Sequence, residues 1–127
     1  MQRQRISSGS PYEPRYGFSR AVRVGDRIIV AGTAPIWPDD FVDPDPATQS
    51  RRCLEIMLSA LDEAGGKPSD VVRTRMYITD AAHADVIGEA HGEVFGEIRP
   101  AATMVVVGGL NDPRWHVEME LEAVVVD

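Results

Sequence analysis

The run from His116 to Val126 alternates without a slip. Val117, Met119, Leu121, Ala123 and Val125 stand against His116, Glu118, Glu120 and Glu122. Successive side chains leave a strand on opposite faces, so this period of two commits the segment to a half-buried β-strand. Such a strand needs neighbours at its edges and a layer over its apolar face. Arg27 to Ala34 and Ala101 to Val107 are apolar on both faces, which predicts strands covered on both sides.

The rest of the chain supplies one such layer. Asp45 is placed to cap a helix that Pro46 opens. Leu54, Met57, Leu58 and Leu61 then fall on one helical stripe, and Gly65-Gly66 ends the helix near Ala64. Val71 to Ile78 reads as a strand, with Val72, Thr74, Met76 and Ile78 on one face and Arg73, Arg75 and Tyr77 on the other. Thr79 or Asp80 caps a second helix over Ala82 to Phe95, closed by Gly96. Ser19 to Val24 pairs with Arg27 to Ala34 through the Gly25-Asp26 turn, and Gly32 marks a bulge or a close approach to the backbone. Residues 1–15 are polar and are expected to be an irregular arm before a single domain over 16–127. The class is α+β: a mixed sheet of five or six strands with two helices on one face. At 127 residues no third layer remains for the other face, so an oligomer with sheets packed face to face is expected.

The formal charge of -7, from 20 acidic and 13 basic side chains, disfavours nucleic acid as a partner. One cysteine, Cys53, excludes an internal disulfide and reads as a structural helix residue. With no leader-like segment and no long apolar run, the expectation is a cytoplasmic protein away from membranes.

Few residues offer chemistry. His83, His91 and His116 lack the spacing and third partner of a metal site, so none is expected. Ser19 and Thr33 carry hydroxyls without an evident base. Glu118, Glu120 and Glu122 share one face. On solvent that row is ordinary; on a subunit cleft one member could serve as a general base. Trp37, in a Pro/Asp-rich loop, and Phe18, before the first strand, are candidates to line a pocket.

Several separated motifs together resemble the Rid family, also called YjgF/YER057c or L-PSP endoribonuclease. They are Gly17-Phe18-Ser19-Arg20-Ala21, Val30-Ala31-Gly32-Thr33-Ala34-Pro35, Leu61-Asp62-Glu63-Ala64-Gly65-Gly66, Tyr77-Ile78-Thr79-Asp80, Arg99-Pro100-Ala101 and Glu120-Leu121-Glu122-Ala123. The resemblance implies a chorismate-mutase-like protomer and a homotrimer whose sheets meet in a central barrel, with a cleft between each pair of subunits. It also implies hydrolysis of reactive enamines and imines to 2-keto acids and ammonia, without metal or cofactor.

Position by position, the resemblance places a cleft tyrosine on Phe18, a serine on Ala31, a backbone contact to the reacting group on Gly32, an asparagine on Gly88, a carboxylate-binding arginine on Ala102 and a cysteine on Met104. Thr33 and Trp37 complete the expected cleft. Glu120 is retained, and its implied role is to orient or activate water. Without the arginine at 102 the chain looks like a non-archetypal subgroup with a non-standard substrate preference. Arg20 and Arg99 are the candidates to supply charge from elsewhere. Two functions follow: a deaminase of small imines or enamines, or a non-enzymatic trimer that binds a small metabolite or regulates a partner.

Overall fold

The computed structural model describes residues 2–126. Six strands form one sheet: β1 (Arg3–Ile6), β2 (Ala21–Val24), β3 (Arg27–Thr33), β4 (Val71–Ile78), β5 (Ala101–Val106) and β6 (Val117–Val124). The helices are α1 (Tyr12–Tyr16), α2 (Pro46–Glu63) and α3 (Ala84–Phe95). Strand order is β1-β2-β3-β6-β4-β5, antiparallel throughout except for the parallel pair β4–β5.

The alternation of β6 sets the layers. Val117, Met119, Leu121 and Ala123 are buried, and they pack with Ile28 and Val30 of β3 and with Met76 and Ile78 of β4. Over them lie Leu54, Met57 and Leu61 of α2 and Ile87 and Phe95 of α3. Asp45 caps α2 by accepting from the Thr48 amide at 2.9 Å, with Pro46 in the first turn. Gly65, at φ +88°, turns the chain out of the helix. Buried Gln49 ties α2 to the entry of β6: its amide donates to the Asp43 and Arg114 carbonyls, and its oxygen accepts from the His116 amide at 2.7 Å.

Both neighbours of β6 carry a bulge. In β3, Val30 faces Leu121 and Thr33 faces Met119, so three steps oppose two. In β4, Val71 faces Ala123 and Arg73 faces Glu122, so two steps oppose one.

Three expectations are corrected. The sheet is open, with β1 and β5 at its edges; it does not close into a barrel, and chorismate-mutase-like is the wrong name for this fold. The N-terminal arm is not irregular: Arg3–Ile6 pairs with β2, Ile6 is buried, and α1 follows. The bulge in β4 puts Val71, not Val72, into the core. Within one chain Ile29, Val105 and Val106 are exposed.

Candidate functional site

The face of the sheet away from the helices carries the second set of β6 side chains. Register sets Glu122 beside Arg73, Glu120 beside Arg75 and Glu118 beside Tyr77. The three glutamates thus meet two arginines and a phenol across β4, a favourable arrangement for cross-strand neighbours of opposite charge. Glu120 Oε1 accepts a hydrogen bond from the Tyr77 hydroxyl and lies 3.7 Å from Arg75 Nη1. That hydrogen bond, more than burial, raises the Tyr77 hydroxyl above its ordinary pKa.

Glu118 leans the other way, toward β3. A Cβ on Gly32 would stand 2.6 Å from Glu118 Oε2, so the carboxyl keeps this position only beside a glycine and would have to shift for any other residue. Burial pushes the Glu118 carboxyl above its usual range; Arg20 opposes this and Glu120 adds to it. Arg20 itself donates from Nη2 to the Gly32 carbonyl, and its guanidinium sits 5.7 Å from the centre of the Phe18 ring. Burial lowers the Arg20 pKa, with Glu13 and Glu118 pulling in the opposite direction. Gly32, Tyr77, Glu118 and Glu120, with Val107, Gly109 and Leu110, line an open cleft of about 390 Å³.

Of the expected site residues, this cleft takes Gly32 and Glu120. Arg20 reaches its rim through the Gly32 carbonyl. Thr33 points into the core instead, its hydroxyl donating to the Ala31 carbonyl at 2.8 Å. Ala31 is half-buried and Phe18 exposed, and neither lines the cleft. Trp37 packs edge-on against Phe41, 5.6 Å away, in the loop before α2.

Ala102, Met104 and Gly88 form a separate group. Ala102 and Met104 register beside Thr74 and Met76, both buried under the helices, so they share that side of the sheet. A Cβ on Gly88 would lie 3.9 Å from Met104 Cε. Within one chain, Ala102 and Glu120 therefore stand on opposite faces. Arg99, at φ +56°, is exposed in the link from α3 to β5. Sequence reasoning singled out neither Glu118 nor Tyr77; the signal for both was the alternation of β6 against β4, once their register is known.

The histidines do not join the cleft. His91 Nε2 is 2.8 Å from the Thr74 hydroxyl, and burial lowers its pKa. His83 and His116 meet edge to face at 4.9 Å. Cys53 is buried within the core, and burial pushes its thiol far up. Among the described residues no three His, Cys, Asp or Glu side chains converge as a metal site would require, and no helix is long and apolar enough to cross a membrane.

Known proteins share both the sequence and this fold. The crystal structure of Rv2704, a YjgF/YER057c/UK114 family member from Mycobacterium tuberculosis, is 43% identical and superposes with a TM-score of 0.91 over 98% of this chain and 100% of that one. A RutC family protein of Pyrococcus abyssi is 34% identical over 126 residues, which is 98% of this chain and 97% of the relative. A 3-aminoacrylate deaminase, RutC of Acinetobacter baylyi, is 32% identical over 105 residues, covering 81% of this chain and 82% of that protein. The family model described as endoribonuclease L-PSP matches residues 9–125, and the chain belongs to that family, the Rid/YjgF proteins.

Proposed function

We propose that this protein hydrolyses small reactive imines or enamines to a carbonyl compound and ammonia, in clefts between the subunits of a homotrimer. The observation that carries the reading is the cleft itself: Glu120, held by Tyr77 and Arg75, stands with Glu118 beside the Gly32 backbone. Water attacking a C=N carbon needs a proton acceptor and a fixed polar frame. Glu120 is the acceptor, and the Gly32 backbone is the frame. The similarity to a 3-aminoacrylate deaminase supports the same chemistry. What supports assembly is that within one chain Ala102, Met104 and Gly88 lie on the opposite face from Glu120, so a ligand that touched both groups, as the resemblance implies, would need a second copy.

With alanine at 102, the group that would grip a substrate carboxylate is missing, which favours imines other than 2-imino acids. The carboxylate-lined cleft and the charge of -7 speak against RNA, whatever the family's name suggests. The test is release of carbonyl product from imines generated in situ, with and without protein. Acceleration that falls in Glu120→Gln supports the reading; acceleration unchanged in that variant removes Glu120 from the mechanism. The second reading, a metabolite-binding trimer without turnover, draws on the nonpolar residues at Phe18, Ala31 and Ala102. Calorimetry that detects a bound small molecule, beside an imine assay that detects no acceleration, would favour it.

A further inference from the structure

We propose that Glu118 is a second catalytic carboxyl of this cleft, giving a proton to the imine nitrogen while Glu120 receives one from the attacking water. The inference rests on the deaminase reading. Its basis is that the two carboxyls share one cleft but not one environment. Glu120 accepts from Tyr77 and faces Arg75. Glu118 is half-buried, and its carboxyl lies over the Gly32 backbone, where a Cβ would stand 2.6 Å from Oε2 and push the carboxyl aside. The groups acting on it are Arg20, ahead of β2, and Glu120, on its own strand; Tyr77 on β4 and Cys53 on α2 feel its charge in turn. Arg20 is committed to the Gly32 carbonyl. Burial and the neighbouring carboxylate favour a proton on Glu118, consistent with a donor. Two carboxyls with their environments set apart divide the acid and base roles between them. Two residues along one strand separate them by roughly 6–7 Å at Cα, enough to flank a small imine and a water.

The proton count closes. The water oxygen bonds to the imine carbon, the C=N π pair moves to nitrogen, nitrogen takes the Glu118 proton, and Glu120 takes the water's proton. The carbinolamine then collapses. Glu120 returns its proton to nitrogen, the C–N bond breaks, ammonia leaves, and the hydroxyl proton passes to Glu118 as C=O forms. Both carboxyls end as they began.

Glu118→Gln keeps the shape and removes the transferable proton. Turnover of imines generated in situ should fall on the order of 10²-fold or more. The wild-type decline in kcat/KM as pH rises through the Glu118 titration should vanish in Glu118→Gln and persist in Glu118→Asp. If the wild type accelerates imine hydrolysis and Glu118→Gln keeps that rate and that pH limb, Glu118 is not the donor and the deaminase reading stands. If the wild type accelerates no imine, both fall. Carboxyl 13C NMR of the wild type adds a readout independent of turnover and of how the variant folds. The Glu118 resonance should titrate above an ordinary glutamate, near 4.3; titration at or below that value overturns the proposal.

Discussion

Replacing Gly32 by alanine adds a single methyl group at a defined place. Its Cβ would lie 2.6 Å from Glu118 Oε2 and 3.4 Å from Glu118 Cδ. The carboxyl oxygen must therefore withdraw by about 0.8 Å to reach ordinary contact near 3.4 Å. Nothing else opposes the methyl, because Gly32 is not among the positive-φ glycines and no backbone atom blocks the space. Two small terms of opposite sign then set stability. Stiffening the unfolded chain gains about 0.4–1 kcal/mol. Forcing a glutamate off its rotamer costs about 0.5–1.5 kcal/mol. The net change should stay within about 1 kcal/mol, or roughly half a molar in the urea midpoint. Imine turnover should respond far more, since an ångström of misplacement can cost about 10²-fold. Urea unfolding at fixed protein concentration and the imine assay, run on the same preparation, separate the two effects. A loss above about 3 kcal/mol would show that Gly32 serves packing. Unaltered turnover would refute the argument that the Glu118 position matters. Adding Gly32→Ala to Glu118→Gln should cost little more, because both act through one carboxyl.

Three further outcomes are expected. Gln49→Leu removes the partner of two carbonyls and an amide at the α2–β6 junction and should destabilise by at least about 2 kcal/mol in urea; a change under 0.5 kcal/mol would mean water replaces it. His91 has its pKa lowered by burial, so the unfolded chain binds its proton first, and stability should fall as pH drops below about 6.5 toward the depressed folded value; His91→Gln should lack that decline in urea midpoints taken between pH 7.5 and 5.5. Ala102→Arg should raise activity on 2-imino acids roughly ten- to a hundredfold, the worth of one charge-assisted hydrogen bond; 2-imino acid rates in the unaltered protein that already match its rates on carboxylate-free imines would contradict the substrate argument.

Much of the fold was legible because its signals are local. The Asp45-Pro46 start of α2, the Gly25-Asp26 hairpin and the alternation of β6 each follow from a few adjacent residues. What escaped depends on pairing. β1 is an edge strand whose only buried residue is Ile6, so Arg3, Gln4 and Arg5 leave no apolar period to read. Val71 and Val72 are chemically alike, and only the register against Ala123 decides which enters the core. The site was legible in the same uneven way. Glu120 and Gly32 were identified by resemblance and do share a cleft. That Ala102 lies on the other face required the parallel register of β4 and β5, a long-range fact no window of sequence contains.

The two bulges flanking β6 have a consequence for mutation. β6 runs in phase from Val117 to Ala123, while each strand beside it holds one surplus residue. Cut Ala31 and the pairing regains its regular count, which sets Gly32 directly opposite Glu120. Cut Val72, and β4 also regains its regular count, with Val71 still in the core and Arg75 and Tyr77 still on the cleft side. Neither deletion removes a glutamate, the tyrosine or the glycine. The cleft is thus written in chain length as well as in residue identity. Scans by substitution leave that length untouched; single-residue insertions and deletions in β3 are the changes that probe it.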